Sequence, residues 1–230
     1  MKIIYQILFS FLFILFTCKT SRSQVTHGVS FQVGVTGTYY KSSVKDSKSY
    51  STLFMPIMAF DYSKFNDNIF WGGVGYGLSP RMMPLYKYQD GTKIGIEYPE
   101  FWFRVRTGLK IQNEFLSHLP HIGLGIAINS EVSNYTNNGF QNGISYYDLG
   151  DSLYNVAKYR PYIELANTMI NSTFREAKRN MFITFGIRYY PLPVFTKKVD
   201  VTYNYNSFKQ VQYNIMEVFI SAGIQKNFQR

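Results

Sequence analysis

The chain has 230 residues, of which 46% are hydrophobic, 18% aromatic and 17% charged, and its formal net charge is +10. The aromatic content excludes an intrinsically disordered chain, and the single cysteine excludes a disulfide scaffold and a cysteine-based zinc site. A mean hydropathy of −0.15 excludes a polytopic helical membrane protein, whereas the length permits a single all-β domain.

The N-terminus has the pattern of a secretory signal peptide. A positively charged start precedes an apolar run over residues 7–16. This run is too short to cross a bilayer as a helix, but it matches the apolar core of a signal peptide. Ser21 and Ser23 then supply the small residues that a cleavage site needs. The sequence therefore predicts a cleaved signal peptide over residues 1–23 and one β-barrel domain over residues 24–230.

A second interpretation of this segment makes Cys18 the lipidated residue of a lipobox. Phe16 and Thr17 fit that motif poorly, so cleavage is the preferred prediction. No other stretch approaches 18 consecutive apolar residues, and no transmembrane helix is expected in the remaining chain. That chain is then either soluble and exported, or it crosses a membrane as a barrel.

The remaining sequence follows the two-residue period of β-strands. Between residues 101 and 111, apolar odd positions alternate with even positions that include Arg104 and Arg106. The eight predicted strands are 29–36, 51–62, 68–79, 101–111, 121–129, 158–168, 181–190 and 216–225. Most of them approach the length of about 9 to 11 residues that a tilted membrane-spanning strand needs, whereas globular strands average about 5 to 6.

The predicted connections alternate between long and short. The long ones are the first, third, fifth and seventh, over residues 41–50, 80–97, 131–157 and 191–211. Outer-membrane barrels have long extracellular loops and short periplasmic turns, so a periplasmic N-terminus would place all four long connections outside the cell. Aromatic residues near strand ends suit the interfacial girdles of such barrels: Tyr39, Tyr62, Phe101, Tyr159, Tyr189 and Phe228.

In these features, and in a last strand that ends with residues 222–228, the chain resembles the small outer-membrane β-barrel proteins of the OmpA and OmpX type. It also resembles the porin-like outer-membrane β-barrel domain family of Gram-negative bacteria. The resemblance covers residues 24–230 and rests on pattern, although two residues follow the terminal aromatic Phe228. It implies an all-β, eight-stranded, antiparallel, up-and-down transmembrane barrel. It does not imply a function, because the family carries many.

Two structural questions stay open at this point. A ten-stranded barrel is an alternative if residues 199–205 form an extra hairpin. The non-lipid face of the strands also collects charged residues, namely Arg104, Arg106, Glu164, Arg188 and Glu217. An eight-stranded lumen is just wide enough for side chains, and an unpaired buried charge is costly. We therefore expect both glutamates to pair with the three arginines in a polar plug, with a gated ion path as the alternative.

The long connections differ in charge. Three of them carry the basic residues Lys41, Lys45, Lys48, Arg81, Lys87, Lys93, Lys197, Lys198 and Lys209. We expect these residues to contact outer-membrane lipid and the phosphates of lipopolysaccharide. The connection over 131–157 has three acids and no Lys or Arg, and its Asn, Gly, Ser and Tyr content suits contacts with a surface protein or ligand. The basic residues are too dispersed to indicate nucleic-acid binding.

The sequence offers little for chemistry. His118 and His121 lack nearby carboxylate or cysteine partners, so neither a metal nor a cofactor is expected. With His27 they are predicted at the periplasmic end, far from the outer-leaflet substrate of lipid-modifying barrel hydrolases. The predicted function is a non-enzymatic structural or surface-interaction role through the extracellular loops. The alternatives are a narrow channel for ions or small solutes, such a hydrolase, and a secreted barrel that binds a small ligand.

Overall fold

The computed structural model describes residues 26–42, 50–65, 70–87, 93–112, 116–130, 132–137, 156–171, 179–203 and 207–229. Within these ranges lie the strands β1 Thr26–Ser42, β2 Tyr50–Phe65, β3 Phe70–Lys87, β4 Lys93–Leu109, β5 Ile111–Gln112, β6 Leu116–Asn129, β7 Ser133–Asn137, β8 Tyr159–Asn171, β9 Arg179–Tyr190, β10 Val199–Tyr203, β11 Ser207–Val211 and β12 Tyr213–Gln229. The same ranges contain no helix that is long and apolar enough to span a membrane.

Eight of these strands close into an antiparallel barrel. Around the ring they follow chain order, from β1 through β2, β3, β4, β6, β8 and β9 to β12, and β12 pairs with β1. The predicted eight-stranded up-and-down barrel is thus confirmed. The closing pair runs from Thr26 opposite Gln229 to Ser42 opposite Tyr213. We call the end of the barrel near Thr26 the terminal rim and the end near Ser42 the loop rim.

Four short strands lie outside this ring. β5 pairs with β6, and β7 pairs with the beginning of β4. β10 and β11 form a separate two-stranded sheet, in which Val199 lies opposite Val211. The hairpin considered for a ten-stranded barrel therefore forms without joining the ring, so the ten-stranded alternative is wrong. Tyr205 lies outside the described residues.

β3 and β4 are longer than the sequence predicted. Residues 80–87 and 93–97 were expected to belong to a loop, but they continue the two strands. Proline is a common turn signal, which explains the error. β2 and β3 pair only as far as Met58 and Leu78. Pro56, Pro80 and Pro84 lie beyond that point. Proline has no backbone N–H to donate, and none is required there for a β2–β3 ladder, so the strands tolerate these prolines.

The exterior of the ring is apolar. Outward-facing side chains that are more than a third exposed include Phe31, Val33, Met58, Phe60, Tyr76, Phe103, Ile122, Ile163, Ile183, Phe185, Val218 and Ile220. Soluble monomers rarely expose a continuous apolar surface, whereas a barrel in lipid requires one. The six aromatic residues predicted near strand ends are 38% to 54% exposed. Tyr39 and Tyr189 both lie opposite Met216, in the halves of their strands nearer the loop rim.

Inward-facing glycines give room to large side chains of the lumen. Gly75 lies opposite Asp61, and a Cβ on Gly75 would overlap Oδ1 of that carboxylate. A Cβ on Gly77 would likewise overlap the ring of Trp102. The glycine-rich stretch of β3 therefore makes space for partners on neighbouring strands.

We expect Gly75→Ala to displace the Asp61 carboxylate and to lower the free energy of unfolding by about 1–3 kcal/mol, the usual cost of overpacking. Urea unfolding in detergent micelles would measure the loss. Gly123→Ala is a matched control, because the nearest atom to its added Cβ is Cβ of Glu164 at 3.2 Å. Its loss should be smaller, and an equal loss in the two variants would contradict the explanation.

Candidate functional site

The lumen is filled by three layers of side chains. A mainly aromatic layer lies at the loop rim and includes Tyr40, Tyr98, Tyr190, Phe195 and Tyr213, together with Val194. An apolar layer near the terminal rim consists of Phe65, Trp71, Leu119, Ile170 and Phe182. Between them lies an ionic layer, each member at most 6% exposed: Asp61, Arg81, Glu100, Arg104, Arg106, Arg160, Glu164, Arg188 and Glu217. We call these the mouth layer, the base layer and the ionic layer.

Arg104 joins two carboxylates across the lumen. Its Nε and Nη2 donate to Asp61 at 2.9 to 3.0 Å, and its Nη1 donates to both oxygens of Glu164 at 2.9 and 3.0 Å. Arg188 Nε donates to Glu164 at 2.7 Å, and Arg188 Nη1 donates to Glu217 at 3.4 Å. These hydrogen-bonded ion pairs thus join four of the five predicted lumen residues in one chain, namely Arg104, Glu164, Arg188 and Glu217.

Arg81 extends this chain toward the loop rim. Its Nη2 donates to Glu100 at 2.5 Å and to Glu217 at 2.7 Å, and Arg160 binds the other carboxylate oxygen of Glu100. The prediction that Arg81 is a basic loop contact is wrong, since its side chain is 1% exposed. It lies in the lumen because β3 continues to Lys87 and its odd-numbered positions face inward.

Arg106 is joined to this chain of ion pairs weakly, through the Asp61 carboxylate that it shares with Arg104. Within the described part of the chain, the carboxylate at salt-bridge distance from it is that of Asp61, at 3.5 Å. The sequence predicted that Arg106 would also pair with Glu164 and Glu217, but neither carboxylate lies at salt-bridge distance from it. Its Nη2 donates a long bond of 3.4 Å to Ser63, and its guanidinium lies 5.1 Å from the ring centroid of Trp71. A cation–π contact therefore accompanies a weak ion pair.

Aromatic rings connect the ionic layer with the mouth layer. The guanidinium of Arg188 lies 4.5 Å from the centroid of Trp102, and that of Arg104 lies 4.9 Å from it. The guanidinium of Arg160 lies 5.0 Å from the ring centroid of Tyr190. The Tyr190 hydroxyl lies 3.2 Å from Glu100 and 3.2 Å from Glu217, the two carboxylates that also bind Arg81. Cation–π contacts strengthen when they are desolvated, so the two layers form one packed unit.

Two segments outside the ring close the loop rim. The amide of Val194 donates to the carbonyl of Tyr213, and the amide of Ala157 donates to the carbonyl of Val194, both at 2.8 Å. Val156 and Phe195 form a β-bridge. Val194 and Phe195 are buried in the mouth layer, so the chain between β9 and β10 folds into the barrel as a plug.

Sequence reasoning missed Asp61, Glu100 and Arg160 as members of the ionic layer. Strand parity could have found them. Glu100 shares the inward parity of Arg104 on β4, and Arg160 shares that of Glu164 on β8. Asp61 is the one acidic residue of β2 and directly follows the apolar run 53–60, and such a residue must face the lumen if the exterior faces lipid.

The predicted basic contacts have varied positions. Lys41 is exposed at the end of β1, and Lys197 and Lys198 are exposed between β9 and β10. Lys87 ends β3, Lys93 begins β4 and Lys209 lies in β11. Lys45, Lys48 and most of the connection over 131–157 lie outside the described residues.

The histidines lie toward the terminal rim. His121 is buried, with its ring 5.2 Å from that of Trp71 and its Nε2 3.5 Å from Glu164. His118 is 3.2 Å from Asn167, and His27 contacts the Tyr62 hydroxyl on the exterior. In the described ranges, no group of three or more His, Cys, Asp or Glu side chains could hold a metal ion.

A closed eight-stranded barrel with an apolar exterior and a polar, filled lumen defines the architectural class of the small outer-membrane-type β-barrels. The chain is similar to solved structures of that class. Neisserial surface protein A matches at a TM-score of 0.42 and 9% identity, over 87% of this chain and 97% of that one. A major outer membrane protein from Thermus thermophilus matches at 0.47 and 10%, over 86% and 99%.

The attachment invasion locus protein Ail of Yersinia pestis matches at a TM-score of 0.38 and 11% identity, over 86% of this chain and 97% of that one. No protein-family model matches the chain, and no curated protein matches its sequence. At these identities and TM-scores the likeness carries no function from those proteins to this one.

We expect Arg104→Gln to lower the free energy of unfolding by about 3–5 kcal/mol, because two buried carboxylates lose their main partner. Arg106→Gln is the matched control, on the same face of the same strand but with long contacts. Its loss should be about 1 kcal/mol. Urea titration of both folded variants in micelles would compare them, and similar losses would show that the ion pairs of Arg104 contribute little.

Proposed function

We propose that this protein is a non-enzymatic outer-membrane β-barrel of a Gram-negative bacterium that acts through the segments at its loop rim. The observation that carries this proposal is the combination of an apolar exterior with a lumen closed by side chains. The exterior suits lipid. The closed lumen supports a structural or surface role over transport.

In this proposal, residues 1–23, which lie outside the described residues, are the signal peptide that directs export. The terminal rim then faces the periplasm and the loop rim faces the outside. Both ends of the ring, Thr26 and Gln229, lie at the terminal rim, as an even number of strands requires. The aromatic residues Tyr39, Tyr159 and Tyr189 would lie at the outer interface.

The loop rim is the proposed contact surface. Exposed Lys41, Lys197 and Lys198 lie there, and cations close to an anionic membrane surface attract lipid phosphates. We propose that they and the neighbouring basic residues contact lipopolysaccharide. The acidic, tyrosine-containing connection over 131–157 is the proposed contact for a surface protein or ligand.

The alternatives find less support in the geometry. A channel would need a path through the mouth, ionic and base layers, which are packed with buried side chains. A lipid-modifying hydrolase needs a base within hydrogen-bond reach of its nucleophile and of an outer-leaflet substrate. The histidines lie toward the opposite rim, in the halves of β1 and β6 that are nearer the terminal rim.

Gel mobility in SDS tests the proposed location and fold together. We expect the protein in the outer-membrane fraction, migrating faster without boiling than after boiling, because a closed barrel resists SDS until heated. Its recovery in the soluble periplasm, or a mobility that boiling does not change, would contradict the proposal and favour a secreted ligand-binding barrel.

Planar-bilayer recording tests the closed lumen. We expect no steady ion conductance from the purified wild-type protein, because the side chains of the three lumen layers are buried against one another. Arg104→Ala combined with Arg106→Ala is the informative variant. A steady wild-type current that this double substitution changes would favour the channel over the structural role.

A further inference from the structure

Basic side chains collect on one side of the terminal rim. Four neighbouring strands, β9, β12, β1 and β2, carry Arg179, Lys226, His27 and Lys64 on their outward faces. We call these four residues the basic rim patch. Around the remaining part of this rim, the exposed ends of β3, β4 and β6 carry the apolar residues Phe70, Leu109 and Leu116. Lys110, directly after β4, also lies at this rim, so the basic rim patch is distinguished by cations on adjacent strands.

Strand register brings two of these cations into direct opposition. Lys226 on β12 lies opposite Arg179 on β9, and directly opposed side chains have Cβ atoms about 5 Å apart. Like charges in that position destabilise a sheet. Within the part of the chain that the structure describes, neither cation has a carboxylate at salt-bridge distance. An external anion between the two would remove the repulsion.

The surroundings of this pair indicate an anion that carries an apolar tail. Two residues further into the barrel wall, Ile224 lies opposite Met181, and these side chains are 55% and 78% exposed. Toward the rim, the Lys226 ammonium lies 5.2 Å from the ring centroid of Phe228. From the rim inward, the ring of Phe228, the two cations and then the apolar pair follow one another along the strands, so that a headgroup phosphate at the cations would have its chain over the apolar pair.

We propose that Arg179 and Lys226 together bind the phosphate of an anionic phospholipid in the periplasmic leaflet, whose acyl chain lies along Met181 and Ile224. The inference rests on the proposed function, which places the terminal rim at that leaflet. A headgroup with net negative charge is favoured over a zwitterionic one, because the ammonium of the latter would be repelled by the same two cations.

Native mass spectrometry of the folded protein in neutral detergent tests this site. The probes are phosphatidylglycerol, phosphatidylcholine and inorganic phosphate. We expect phosphatidylglycerol to be retained in preference to phosphatidylcholine. The combined variant Arg179→Gln and Lys226→Gln should bind phosphatidylglycerol about thirtyfold more weakly, since each cation near an anionic lipid contributes about fivefold. Lys110→Gln, a cation at the terminal rim directly after β4 and outside the basic rim patch, is the matched control and should bind as the wild type does.

Three outcomes would overturn the site. They are unchanged binding in the double variant, an equal loss in Lys110→Gln, and displacement of the lipid by millimolar inorganic phosphate, which would make the ligand a free anion. Boiling-dependent gel mobility of each variant reports separately on the barrel. A heat-modifiable barrel that retains no lipid contradicts this site alone, whereas loss of heat modifiability in the wild type contradicts the proposed function.

Discussion

The closure of the strand ring is the constraint on which the rest of this molecule depends. Because β12 pairs with β1 along their whole length, the ring closes, and over the span where every strand is paired the backbone can be satisfied without water. Eight strands also set the lumen width, which side chains can just fill. Filling that lumen with charged groups then requires every carboxylate to find a guanidinium, and large side chains require glycines opposite them.

The ionic layer makes contacts that the strand ladders cannot make. Arg81 and Glu217 come from β3 and β12, which are not neighbours in the ring, yet their side chains bind each other at 2.7 Å. Such bonds cross the lumen and tie opposite walls together. Aromatic side chains cover them toward the loop rim, where Val194 and Phe195 complete the plug. The lumen is therefore a packed interior, and the proposed function lies at its surfaces.

The alternation of side chains predicted much of the candidate site. It assigned Arg104, Glu164, Arg188 and Glu217 to the lumen, since each has the parity opposite to an apolar stripe. It failed for Arg81 and Glu100, because prolines near both residues indicated a loop. The prolines are accommodated where β2 and β3 no longer pair. The point at which two strands separate depends on both of them, so the sequence of neither strand alone predicts it.

The sequence by itself determined the period of the strands and the apolar exterior, because these follow from local alternation and from the spacing of turns. It favoured eight strands over ten, and the structure decided that number by leaving the β10–β11 hairpin out of the ring. Only the tertiary structure decided which charges meet, that Asp61 binds Arg104, and that the chain after β9 fills the mouth. Register places Arg179 opposite Lys226 in the same way. These features depend on strand stagger and on contacts across the lumen between residues far apart in the chain, which one-dimensional periodicity does not encode.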